Sequence, residues 1–410
     1  MNQRYYSLDV FRGATVALMI LVNNPGSWSH IYSPLEHAAW HGITPTDLVF
    51  PFFLFAVGNA MAFVMPRFEA AGDGVFWRKV LKRTLLIFAI GLFLNWNPFV
   101  RWQGDDLVAK TWIWVNDKGE VVGIRILGVL QRIALSYLFA SIIVYYAKAK
   151  GAFVIGGILL LVYWALCVVG NPADPYSLAG WFGTGIDKAI LGEPHLYDGE
   201  RLNGVPIAFD PEGLIHTIPS IVQVIFGYLV GDYIIKKGKT YNESTDNSVK
   251  VFFGPYQMLT GLFVAAVALL FTGYCWSLSF PVNKKIWTSS YVVATTGMAI
   301  LVLATLIYAI EIKGKKGWWS RFFDVFGKNP LFIFVLSGFL PRVLALIRIP
   351  ALTPDGKPRF LSPFGWFYEN ICAKVPGAPE NGSLMYAICM ILFYWAIVYW
   401  MDKRKIYIKV

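Results

Sequence analysis

Residues 34–58 read PLEHAAWHGITPTDLVFPFFLFAVG. The stretch opens polar and aromatic, with Glu36, His37, Trp40 and His41, and closes as an apolar run suited only to a membrane or a deep core. Asp47 stands at the junction. A histidine and an aspartate ten positions apart at the mouth of an apolar helix point to a reactive site at a membrane surface, because an ionisable group near membrane depth is functional by default. A plainer reading stands beside it. Aromatic residues belt membrane interfaces, and an Asp before an apolar run is a common helix start.

The rest of the chain has the same character. Of its 410 residues, 56% are hydrophobic and 15% charged, against about 25% charged in a soluble domain. The composition predicts an all-α, polytopic membrane helix bundle, one domain over residues 1–410. Runs near the ~20 residues that a bilayer requires fall at 12–27, 46–66, 83–99, 124–147, 152–170, 214–235, 251–274, 291–312, 322–341 and 384–401, so about ten or eleven transmembrane helices are expected. The net charge of +11 is no sign of nucleic acid, because the basic residues lie in short clusters between apolar runs. The run Ala14–Val22 leads into Asn23, Asn24 and Pro25 rather than a cleavage pattern, and is read as the first span, with Arg4 and Arg12 holding its start inside.

Alternation from an inside N-terminus puts most of the 36 Lys and Arg on the inside, so both termini are expected in the cytoplasm. It also puts all five histidines outside or at the outer edge: His30, His37 and His41 in the first outer loop, His195 in a later one, His216 at the start of the sixth span. Residues 171–213 carry Gly and Pro turns around a short helix expected at 185–191. Residues 342–383 bring Phe364, Trp366, Phe367 and Tyr368, which suit either interface anchoring or stacking on a sugar ring. On the inside, VFWRKVLKR at 75–83 carries Lys79 and Arg83. Such a cluster anchors to anionic headgroups or holds the phosphates of a cytosolic ligand.

Polar residues within spans are costly and therefore informative. Arg132, in RILGVLQRIALSY, requires a carboxylate, carbonyls or a bound anion. Asn95 and Asn97 close the third span, and Lys328 and Asn329 sit in the ninth. GYLVG at 227–231 has the GxxxG spacing of closely packed helices. Cys167, Cys275, Cys372 and Cys389 show no CxxC spacing, so no metal site or redox pair is indicated. No phosphate-binding loop, HExxH, GxSxG or internal repeat is evident. NGS at 381–383 is a glycosylation sequon on an outer loop, relevant only in a eukaryotic source.

Seven blocks together resemble the catalytic membrane domain of the heparan-alpha-glucosaminide N-acetyltransferase family. They are SLDVFRG at 7–13, EHAAWHGITPTDLVFPFFLFAVG at 36–58, RILGVLQRIALSY at 125–137, GIDKAILGEPHLYD at 185–198, FDPEGLIHTIPSIV at 209–222, PVNKKIWTSSYV at 281–292 and GKNPLFIFV at 327–335. The blocks follow the family's order over nearly the whole chain. The chain looks like a bacterial-type relative without the large N-terminal lumenal domain, which implies a bacterial inner membrane. The resemblance implies acetyl transfer from cytosolic acetyl-CoA to the amino group of a terminal glucosamine on the far side of the membrane, with no metal. It implies that His37 is the active-site histidine and that Asp47 and Asn23 serve it. Two departures stand out: the segment between Asn23 and His37 is longer here, and Ser337 stands where the lysosomal enzyme carries a histidine.

The chemistry agrees with that implication. A neutral imidazole can take the proton of an attacking amine, or accept the acetyl group itself. A general base with direct transfer is favoured over an acetyl-histidine relay. Asp47 or Glu36 would fix the tautomer, and Asn23 would donate to the developing oxyanion. Arg132, Arg83, Lys79 and Asn329 are the residues expected to hold CoA. Trp40, His41, His195 and Glu36 are those expected to meet the glycan or amino-sugar acceptor. Arg132 is expected to face the bundle interior, on CoA or on a structural carboxylate. The lipid bilayer is the other partner, and a homodimer is allowed for. Two rivals are an O-acetyltransferase of a cell-envelope polysaccharide and a small-solute transporter.

Overall fold

The computed structural model describes residues 5–116, 119–243, 254–353 and 355–408. Arg4 and the first residues of the span expected at 251–274 lie outside them. The chain folds as an all-α bundle. Its helices are α1 (Tyr6–Asn23), α2 (Val49–Ala71), α3 (Asp73–Trp96), α4 (Val129–Gly170), α5 (Gly183–Leu191), α6 (Thr217–Glu243), α7 (Gly254–Ser277), α8 (Ser289–Ile307), α9 (Trp318–Lys328), α10 (Pro330–Leu344), α11 (Pro363–Asn370) and α12 (Pro379–Lys403). Four two-stranded antiparallel hairpins decorate one end, for example β1 (Val100–Gln103) on β2 (Asp106–Ala109).

Contacts between turns define two faces. Asp73, at the α2–α3 turn, accepts from Tyr145 at 2.7 Å, and Lys148 pairs with Glu69 at 3.0 Å, so the middle of α4 lies at the face of that turn, the one expected inside. Both ends of α4 lie at the opposite face, the one expected outside. Arg125, just before it, reaches Asp210, and Trp164 donates to Tyr176, whose carbonyl accepts from Trp40. Lys148 leaves helical geometry (φ 56°), so α4 is a hairpin of two limbs rather than one rod of 42 residues. At 1.5 Å per residue an unbroken rod would be about 63 Å long, twice the ~30 Å of a bilayer core. Seven helical segments are long and apolar enough to cross a membrane, and α9 with α10 forms an eighth, bent by 77°. Among the described residues α3 is not one of these segments, and α4 counts among them as a single one.

Three expected boundaries are corrected. The first helix begins at Tyr6, so Arg12 lies inside it and pairs with Asp9 rather than preceding the span. The ninth span is broken at Asn329: Pro330 lacks an N–H and keeps the residue before it out of helical geometry (φ −129°, ψ 48°). The fourth begins at Val129, after an extended approach. The GxxxG spacing does mark a close crossing. A Cβ on Gly227 would stand 2.1 Å from the Phe55 carbonyl oxygen, and one on Gly231 2.8 Å from the Ala62 Cβ. This lets α6 lie backbone to backbone against α2.

Candidate active site

The decisive loop folds back on the start of α2. Thr44 and Asp47 form a capping box on the 3₁₀ turn Pro45–Leu48, and Pro45 suits its first position. The Asp47 carboxylate therefore points back into the loop it terminates. Its Oδ2 accepts the backbone N–H groups of Ala38 and Thr44, each at 3.1 Å, and its Oδ1 lies 2.7 Å from His37 Nδ1. The Asp47 carbonyl accepts from Tyr291 Oη at 2.6 Å, which ties the site to α8. Asp47 is 1% exposed and the His37 side chain 44% exposed. An ionised carboxylate only accepts hydrogen bonds, so Nδ1 carries the proton and Nε2 keeps its lone pair. That is the tautomer of a general base or a nucleophile.

Lys284, to which sequence reasoning gave no role, completes the cluster. Its Nζ lies 3.1 Å from His37 Nδ1, 3.4 Å from Nε2 and 3.5 Å from Asp47 Oδ1. Burial lowers its pKa, opposed by the charges of Asp47 and Glu212. The only sequence signal was a pair of lysines in an apolar-flanked outer segment, PVNKKIW. Asn283 approaches His41 Nδ1 at 3.4 Å, and burial lowers the pKa of His41.

The other residues expected at the acceptor side are placed as follows. Trp40 donates to the Tyr176 carbonyl at 2.7 Å and packs edge-on against Phe209, so its ring joins the outer loops together. His195 is buried against Trp112, its Nδ1 2.7 Å from the Ile124 carbonyl. It fastens the outer hairpins and is not brought to His37. Glu36 is exposed and offers its backbone carbonyl to Thr44 Oγ1 at 2.6 Å. Asn23 closes α1 with an exposed side chain, and among the described residues no hydrogen bond joins it to His37. Phe367 and Tyr368 pack against Tyr386, and Phe364 against Phe393, while Trp366 stays 43% exposed.

Beneath the site lies a buried charged layer. Arg125 clasps Asp210 and Glu212. Burial opposes the charge of Glu212, but Arg125 and then Arg132 outweigh it and hold its pKa low. Arg132 is 1% exposed and faces the interior, as its apolar flanks require. It is met by carbonyls, Pro211 at 2.7 Å and Gly213 at 3.3 Å, with its guanidinium over Trp287, rather than by a carboxylate of its own. The carboxylates of that turn are taken by Arg125.

From the face of the α2–α3 turn a cavity of about 800 Å³ enters the bundle. Arg12, paired with Asp9 in the same lining, Arg67, Arg83 and Lys328, paired with Asp324 and Asp402, line it together with Tyr407, and Phe53, Leu130 and Phe334 line its depth. Phe53 follows Asp47 by six residues, roughly 9 Å of helix rise. Of the four residues expected to hold CoA, Arg83 lines the cavity, and its guanidinium lies over the Tyr137 ring. Lys79 is exposed beside it on α3. Asn329 instead clamps the tail that follows α12, donating to the Ile406 carbonyl at 3.0 Å and accepting from the Ile408 N–H at 2.8 Å. Arg132 does not line the cavity.

A polytopic helical bundle with a His–Asp–Lys cluster at one face and a basic-mouthed cavity entering from the other is thus the class that fold and site define. Over an aligned 374 residues, 81% of this chain, it is 28% identical to the heparan-alpha-glucosaminide N-acetyltransferase of Homo sapiens, of which the match covers 52%. It is 26% identical over 376 residues to the Mus musculus protein of the same name, again over 81% of this chain and 53% of the relative. The chain is a relative of these acyltransferases, and it spans about half the length of the curated relatives it matches. No protein-family model matches it.

Proposed function

We propose that the protein moves an acetyl group from acetyl-CoA, taken up at the inner face, to the amino group of an amino sugar, a terminal glucosamine of a glycan, at the outer face. One observation carries the reading: the buried Asp47 holds His37 by Nδ1, which leaves the lone pair on Nε2, at the end of the bundle opposite the cavity's basic mouth. The nucleotide phosphates of CoA would meet Arg12, Arg67, Arg83 and Lys328, because guanidinium and ammonium groups suit phosphate oxygens. The apolar depth would take the thin pantetheine arm toward the start of α2.

The amine nitrogen attacks the thioester carbon, and the carbonyl pair moves onto oxygen. His37 Nε2 takes the proton that the nitrogen sheds. When the carbonyl reforms, the C–S bond breaks and the leaving thiolate receives that proton, giving the amide and free CoA thiol. Asp47 orients the imidazole and stabilises its protonated form. Trp40, His41, Glu36 and Asn23 stand on the acceptor's side of the membrane.

The test is thiol release by purified protein given acetyl-CoA and a glucosamine-terminated oligosaccharide. His37→Ala is expected to retain less than about a tenth of the turnover, since general bases contribute 10²–10⁴-fold. A variant that keeps more removes His37 from the chemistry.

A further inference from the structure

The proton on His37 Nδ1 is already given to Asp47, so Nδ1 has no lone pair for Lys284. The 3.1 Å approach of Lys284 Nζ to Nδ1 is therefore proximity rather than a hydrogen bond. The contact with Asp47 Oδ1 is long, at 3.5 Å, and Oδ1 is satisfied by His37. An ammonium carries three donors. Among the described residues the acceptors of Lys284 are both distant, Asp47 Oδ1 at 3.5 Å and the His37 Nε2 lone pair at 3.4 Å, although the side chain is only 22% exposed. Its neighbour Lys285 is different, being paired with Glu200 at 2.8 Å. A cation held only by long contacts, with a third donor to spare, thus sits beside the base, on a turn made rigid by Asn283, whose Oδ1 accepts from the Ile286 N–H at 3.0 Å and whose N–H donates to Thr288 Oγ1.

We propose that Lys284 is a catalytic residue whose ammonium binds the acyl oxygen as it turns negative. The inference rests on the acetyl-transfer reading and adds a group to it. An amine hydrogen-bonded to Nε2 places the carbonyl carbon one bond further on. Lys284 Nζ, 3.4 Å from Nε2, then lies within reach of the oxygen on that carbon. During attack the carbonyl pair moves onto oxygen, and a Lys284 N–H donates to it. When the carbonyl reforms and the C–S bond breaks, that hydrogen bond weakens, and no proton leaves the lysine. The charge sits in a desolvated pocket, where a preorganised donor acts most strongly. The charged groups around it are Asp47, Glu212 and Lys285, with His37 and, through Asn283, His41.

The experiment compares wild type with Lys284→Met, Lys284→Gln and Lys284→Arg for thiol release, acceptor KM and thermal stability. Loss of the donor is expected to lower kcat on the order of 10²–10³-fold in the Met variant, with a smaller loss in Gln, which keeps an amide donor without the charge, acceptor KM within about two-fold and part of the rate restored by Arg. A folded Met variant within about ten-fold of wild-type kcat overturns the role. So does a loss of rate that follows thermal stability and that Arg does not restore, because that is a packing role. Wild-type protein that releases no thiol overturns the acetyl-transfer reading itself, whereas active wild type with an active Lys284→Met variant overturns only this inference.

Discussion

At the scale of single residues, the outer site shows how one buried carboxylate organises its surroundings. Asp47 was read as a helix start and as the partner of a histidine, and it is both, because the capping box points the carboxylate back at residues 37–44. Asp187 shows a carboxylate under the opposite pressure. It is 2% exposed, and burial, with the charge of Asp210, raises its pKa from 3.8 to about 6, although the Leu214 N–H donates to it. A raised carboxyl pKa means that the folded state prefers the protonated form. The stability this group contributes is complete below about pH 4 and is lost as pH rises through about 6. Asp187→Asn keeps the acceptor for Leu214 and removes the titration. Between pH 5 and pH 7.5 wild type is expected to lose about 2 °C more in Tm than Asp187→Asn. Parallel pH profiles for the two proteins would refute the buried-acid account.

At the scale of elements, the α2–α6 crossing is set by glycine rather than by complementary large side chains. Gly58 and Gly227 each leave room where the partner backbone stands, with a Cβ on Gly58 only 1.9 Å from the Val224 carbonyl oxygen. Gly227→Ala would force the two helices apart beneath Asp47 and is expected to destabilise by about 1–3 kcal/mol, the usual cost of overpacking. Gly157 on α4, where an added Cβ meets nothing within 4 Å, is the control. Gly157→Ala is expected to be neutral or slightly stabilising. Chemical denaturation of both variants in detergent reads the difference, and equal midpoints would show that the crossing tolerates separation.

At the scale of the whole molecule, the contacts sort the turns onto two faces in the alternation that the basic residues had suggested. The β1–β2 turn, with Asp105 98% exposed, lies with the His37 face, and the turn before α9, with exposed Lys315, lies with the opposite face. In cells, with Cys275 and Cys389 replaced by serine, Asp105→Cys is expected to react with a membrane-impermeant maleimide and Lys315→Cys only after permeabilisation. The reverse pattern would turn the molecule over and place the basic cavity mouth away from a cytosolic donor.

The helical bundle and the pairing of His37 with Asp47 were legible because each depends on local order: apolar length, a cap, a spacing of ten residues. What the sequence by itself determined stops where distant segments meet. His195 looked like an outer histidine that meets the acceptor, yet it packs against Trp112 and the Ile124 carbonyl, contacts that no local pattern encodes. Asn329 looked like a ligand residue in the membrane, and it holds the tail through Ile406 and Ile408. Lys284 looked like loop charge, and only the packing of the turn before α8 over the first outer loop puts its ammonium beside His37. Local backbone chemistry is written in neighbouring residues, but the partner of a buried polar group is chosen by which elements pack together, and that choice belongs to the tertiary structure.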